Sequence, residues 1–152
     1  MGKVKIFLVI SLFMLFPGVA FSHCQIPCGI YDDELRVKMI SEDIDTVEKS
    51  IKAIEELSRA KDKDYNQLVR WVDNKEFHAG HIQEIVSKYF LDQRIKPVGQ
   101  KEEKAYRVYT EQLVLLHQLS FYAMKSKQEL EIKNVGIMRS LLENFSKSYF
   151  NK

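Results

Sequence analysis

The sequence predicts an all-α protein, an antiparallel up-down four-helix bundle spanning residues 32–152 behind a short N-terminal extension. Three observations carry that expectation. Between residues 33 and 150 there is almost no two-residue alternation; apolar residues recur at spacings of three and four. Only three Pro and six Gly occur in 152 residues, too few for a loop-dominated or collagen-like chain. The breaks between the apolar stripes are short, and short links make consecutive helices antiparallel neighbours.

The first stripe is Val37, Ile40, Ile44, Val47, Ile51 and Ile54, ending near Arg59–Lys63. A polar turn, Lys61-Asp62-Lys63-Asp64, follows, and Asp64 is placed to cap the next helix. Leu68, Val72, Ile82, Ile85, Val86, Tyr89 and Phe90 form the second stripe, weaker around Asn74–Gly80. Lys96-Pro97-Val98-Gly99 then breaks the chain, because Pro cannot continue a helix. The third stripe is Tyr106, Tyr109, Leu113, Leu116 and Ala123; the fourth is Val135, Met138, Leu142, Phe145 and Tyr149. Between them Ser126–Glu131 is a break without Gly or Pro. Each stripe is one apolar face turned to a shared core. Gly80 and Gly136 fall inside helices, where Gly costs about 1 kcal/mol relative to Ala, and close helix–helix packing is the expected reason.

Composition is that of an ordinary globular chain, 45% hydrophobic and 29% charged. Residues 1–22 stand apart. Lys3 and Lys5 precede an apolar run from Ile6 to Phe16, Pro17-Gly18 breaks it, and Ala20-Phe21-Ser22 places small residues at −3 and −1 of a cleavage point after Ser22. That is the layout of a secretory signal peptide. A retained anchor is disfavoured because the run is shorter than the ~20 residues of a spanning helix. A lipid-attachment signal is disfavoured because His23, not a small residue, precedes Cys24. Cleavage removes two Lys and no acid, leaving 21 basic against 21 acidic side chains. Such a balance gives no reason to expect nucleic acid or stable membrane insertion after cleavage. The expected location is exported, periplasmic or extracellular.

The two cysteines, Cys24 and Cys28, both lie within six residues of that mature N-terminus, in His23-Cys24-Gln25-Ile26-Pro27-Cys28-Gly29-Ile30-Tyr31. A disulfide is one reading of a Cys pair in an exported chain. Its closed loop would be very short, with little loop-closure benefit. A metal hook over residues 23–31 is the other reading. Cleavage gives His23 a free α-amine beside its imidazole. Amine, the Cys24 amide nitrogen after proton loss, and the Cys24 thiolate form two fused chelate rings, and Cys28 folds back as a fourth planar donor. A square-planar nitrogen and sulfur set suits Ni(II) or Cu(II), with the imidazole available axially, whereas zinc prefers a tetrahedron. Pro27 restricts the turn, making Ile26–Pro27 a candidate cis bond, and Gly29 permits conformations closed to other residues. Tyr31 follows as either a packing aromatic or a residue near the metal.

His-Cys-x-x-Pro-Cys-Gly-x-Tyr at a processed N-terminus resembles the hook of the nickel superoxide dismutases, with all six fixed positions present. The resemblance extends over residues 23–152. It implies a four-helix bundle in a homohexamer, one nickel ion per subunit, and disproportionation of superoxide by Ni(II)/Ni(III) cycling. It also implies His23, Cys24 and Cys28 as ligands, and Tyr31 and Tyr89 as tyrosines lining the approach of a small anion. The chain departs from some members at Gln25, where they have Asp. By counting, Met39 and Asn74 stand where the best-known members hold the His ring with a Glu and a neighbouring subunit's Arg; Glu42 and Arg70 are the substitutes on offer.

Other constellations are less specific. His78 and His81 lie three apart on one helix face, with His117 on the next, but no His has Glu three residues before it as a bundle dimetal site requires. No phosphate loop, nucleophile elbow or His-Glu-x-x-His is present. Two rivals remain: an exported nickel- or copper-binding protein without turnover, and a helical scaffold with an N-terminal disulfide.

Overall fold

A computed structural model of the chain describes residues 29–150. The proposed signal segment and the ligand positions His23, Cys24 and Cys28 lie outside the described residues. Helix α1 is Asp33–Arg59, α2 is Tyr65–Glu84, α3 is Glu103–Gln128 and α4 is Lys133–Phe150. A π-helical segment, Ile85–Arg94, continues α2. Among the described residues there is no strand.

The caps explain where the first two helices begin. Asp32 Oδ1 accepts the Leu35 amide at 2.9 Å, and Asp64 Oδ1 accepts the Gln67 amide at 3.0 Å, each relieving an otherwise unpaired first-turn donor. Asp33 and Glu34 add negative charge where the α1 dipole is positive.

Contacts run α1 to α2, α2 to α3, α3 to α4 and α4 back to α1, closing a four-membered ring. Each neighbouring pair is antiparallel. Asp33 at the start of α1 meets Arg94 at the end of the π segment and Tyr149 at the end of α4. Gln83 of α2 reaches the Ser120 carbonyl of α3, and Gln112 of α3 reaches the Ser148 carbonyl of α4. The core comes from the expected stripes, except that Val72 of the second is 39% exposed: Ile40, Ile44, Val47 and Ile51 of α1 are fully buried, facing Ile82, Leu116, Met138 and Phe145 from the other three helices. Each such side chain contributes about 1.5–3 kcal/mol relative to exposure. Among the described residues no helix is long and apolar enough to cross a membrane.

Two further details differ from the sequence expectation. Neither helical glycine sits at a tight approach: a Cβ on Gly136 would meet nothing within 4 Å, and one on Gly80 only the flexible Lys127 Nζ at 3.9 Å. Close packing is therefore not their reason. The second is the winding of Ile85–Arg94, where the Ile95 amide bonds the Phe90 carbonyl five residues back at 2.8 Å. Such i→i+5 bonding brings residues five apart to the same face, whereas α-winding would separate them by about 140°. Tyr89 and Arg94 thereby face the same partner on α1.

Candidate metal centre

The described part of the hook region starts at Gly29, whose φ of +72° is the left-handed conformation that glycine adopts without a Cβ clash. Ile30 is 81% exposed and Asp32 is also on the surface. Between them Tyr31 turns back onto the bundle. Its ring meets Tyr89 edge-on, with centroids 6.0 Å apart and planes at 70°. The Arg94 guanidinium carbon lies 4.5 Å from its centroid, a cation–π contact. Tyr31 remains 43% exposed, so it is not a core aromatic.

Beneath it lies a cluster organised by one carboxylate. Asp33 accepts Arg94 Nε at 2.9 Å on Oδ1 and Arg94 Nη2 at 2.7 Å on Oδ2, a forked pair. The Tyr89 hydroxyl donates to Oδ1, and the Tyr149 hydroxyl to Oδ2 at 2.8 Å. Burial works to raise the Asp33 carboxyl, but hydrogen bonds from Arg94, Tyr89 and Tyr149, with the Arg94 charge, outweigh it and hold the group below the usual carboxylate range. The same contacts act in reverse on the partners. Burial, then the hydrogen bond and charge of Asp33, push Tyr89 up to about 12 and raise Tyr149. Arg94 is raised above its ordinary value, first by its hydrogen bond to Asp33.

Arg36 completes this end of α1. Its guanidinium carbon lies 5.2 Å from the Tyr89 centroid, its Nη1 donates to Met39 Sδ at 3.4 Å, and its Nε is buried without a hydrogen-bond partner. On the other side of Arg94 a groove of about 550 Å³ is lined by Lys96, Lys104 and Tyr149 among others, with no carboxylate in its lining. A surface concavity of about 890 Å³ along α3, from Glu103 to Leu115, belongs to one helix and gathers no convergent polar groups from elsewhere.

Of the residues singled out by sequence, the fold brings Tyr31 and Tyr89 together. Tyr89 is 2% exposed, its hydroxyl committed to Asp33. Met39 holds only Arg36 among its described contacts of this kind. Glu42 is an exposed side chain 3.7 Å from Lys38. Asn74 donates to Ser50 Oγ at 3.0 Å, about 25 Å along α1 from Asp33 at helical rise. Arg70 is exposed, one turn further still along α2 from the hook end. Within one subunit neither Asn74 nor Arg70 lies at the Tyr31 end.

His78 and His81 prove to be interface residues. Their Nδ1 atoms bond the two oxygens of Asp43, at 2.6 and 2.8 Å, across the α1–α2 contact. His117 is exposed on α3. Among the described residues no group of three or more His, Cys, Asp or Glu is placed to hold a metal ion. Asp33, Arg94, Tyr149 and Arg36 were not signalled by the sequence, where Asp33 reads as a first-turn acid and Arg94 as a last-turn base.

A family model described as nickel-containing superoxide dismutase matches residues 19–152. No curated protein and no solved structure gives a match.

Proposed function

The chain belongs to the nickel-containing superoxide dismutase family, and from that premise we propose that residues 23–28 form its nickel site, with the Tyr31 end of the bundle as the wall of the approach. The reaction is disproportionation of superoxide: two superoxide anions and two protons give oxygen and hydrogen peroxide. The observation that carries this reading is the family match, which takes in both the six-position hook and the whole bundle.

The donors fit the ion. A free amine, an amide nitrogen and two thiolates would make a four-donor nitrogen and sulfur set of the kind that suits nickel, with the imidazole as a further nitrogen donor. The described part of the chain has no competing cluster, which supports His23, Cys24 and Cys28 as the ligands. When bound, nickel supplies a one-electron couple between its divalent and trivalent states. The residues of the chain do the rest. Anionic thiolates from Cys24 and Cys28, with the amidate, donate the charge that makes the higher state accessible. Signal cleavage after Ser22 frees the His23 amine for chelation. The Tyr89 proton is committed to Asp33, and burial beside that carboxylate pushes the phenol up to about 12, further from the neutral range in which any phenol keeps its proton. Tyr89 therefore serves as a wall, and half-exposed Tyr31 is the phenol that meets small anions and water. Lys96 and Lys104 in a groove without carboxylates favour an anionic substrate over a neutral one.

One nickel per subunit, assembly as a homohexamer, and export to a periplasmic or extracellular location complete the proposal. The deciding experiment takes the exported protein, sequences its N-terminus, reconstitutes it with nickel and measures superoxide consumption. The expected result is a chain starting at His23, one nickel bound per chain, and turnover. Nickel bound without turnover would instead favour a metal-binding protein, and a Cys24–Cys28 disulfide that takes no metal would favour a scaffold.

A further inference from the structure

We propose that Arg94, fixed by Asp33, is the positioning residue that docks Tyr31 onto Tyr89 and so seats the hook on the bundle. Gly29, Ile30 and Asp32 are all exposed, which leaves Tyr31 as the point where residues 29–32 press a side chain on the body. Its slot has two walls, the Tyr89 ring and the Arg94 guanidinium. One carboxylate holds both: Asp33 takes the Tyr89 hydroxyl and two nitrogens of Arg94. The forked ion pair fixes the guanidinium plane, and a fixed plane is what stacking on an aromatic face requires. Lysine, a point charge on a flexible stem, keeps the ion pair but not the planar wall. Tyr31 is three residues from Cys28, so fixing its Cα confines the Cys28 Cα to a radius of about 10 Å. Docking at Tyr31 thus restricts where the second thiolate can be.

The catalytic consequence rests on the nickel-hook reading; the docking itself does not. The test uses the mature protein before and after nickel loading, with ¹³C-labelled tyrosine rings and the Tyr31 signal identified by its loss in Tyr31→Phe. In Arg94→Lys and Arg94→Met the Tyr31 ring signal should move at least half of the way to that of free tyrosine. Half of the way is a fall of about twofold in the docked fraction, and a partly exposed cation–π contact is worth about two- to fivefold in the docking equilibrium. The methyl signal of Met138, fully buried in the core, should stay in place. In the nickel-loaded enzyme, KM for superoxide should rise about threefold with kcat changed less, because the ligands themselves are untouched. Arg94→Lys retains the charge opposite Asp33 and keeps the bundle folded should Arg94→Met fail to fold. An unmoved Tyr31 signal in the folded variants overturns the proposal. A released Tyr31 with unchanged KM overturns its kinetic role. Movement of Tyr31 in the Arg94 variants of a protein whose wild type binds nickel but never consumes superoxide would break the enzymatic reading and leave the docking intact.

Discussion

Asp33 and Asp43 sit on the same helix, about 15 Å apart along its axis, and both take hydrogen bonds from the second helical arm. Asp43 is 4% exposed, and its two oxygens are filled by His78 and His81. Those rings go no further toward the hook; on their other side they contact Phe77, itself 67% exposed. Asp33 is also filled, by Arg94, Tyr89 and Tyr149, but its donors pass the contact on to Tyr31. Two carboxylates with equally complete bonding therefore differ in what their donors touch next. One fastens two helices together, and the other fastens three helices and the segment that leads to the proposed metal ligands.

The largest expected effect falls outside both clusters. Cys24→Ser and Cys28→Ser should each abolish turnover and the thiolate-to-nickel absorption, while helical circular dichroism and thermal unfolding of the bundle persist. Normal turnover in either variant would remove sulfur from the redox chemistry and with it the reason for comparing distances to the hook.

Next comes the pair of carboxylates. Asp33→Asn and Asp43→Asn should each lower stability by about 1–3 kcal/mol, since each weakens charge-assisted bonds and leaves donors poorly paired. Denaturant titration measures that. Superoxide kinetics below the unfolding range should then separate them, with KM raised in Asp33→Asn and unchanged in Asp43→Asn. Equal kinetic damage in both would erase the distinction.

The smallest effect is one of pH. Asp33 is held below its unfolded value, so its contribution to stability is complete above about pH 4 and is lost as pH falls through the depressed value. Tyr89 is raised to about 12, so its contribution is complete below the unfolded phenol value and is lost as pH rises toward 12. Tyr89→Phe should flatten the alkaline limb of the stability profile and remove one late-titrating phenol from the ultraviolet absorbance titration. An alkaline limb identical to wild type would show that the Tyr89–Asp33 bond does not hold in solution.

The helices were legible because their signal is local. Ile40, Ile44, Val47 and Ile51 declare a buried face by spacing alone, and Asp64 declares its cap. The family was legible for the same reason, since six fixed positions fall within nine residues. The Asp33 cluster was not, because its donors lie 56, 61 and 116 residues away in the chain and each residue alone has an ordinary explanation at a helix end. Lys75 hid similarly. It looks like a solvated charge, yet it is 3% exposed and donates to the Ser126 and Lys127 carbonyls at 2.6 Å each, neutralising the negative end of α3. Periodicity also cannot separate α- from π-winding over ten residues, so the turn that aims Arg94 was invisible.

That wide turn bears on how chains of this kind should be aligned. Tyr89 and Arg94 are five positions apart and share a face only because the coil is loosened between them. In a tight α-coil, residues four apart would share that face, about 40° from each other. A homologue lacking one codon between these two positions could therefore rewind the stretch as ordinary helix and still present tyrosine and arginine to the same aspartate. A single-residue gap there would record a change of winding, not a loss of the cluster, and is the natural place to put it.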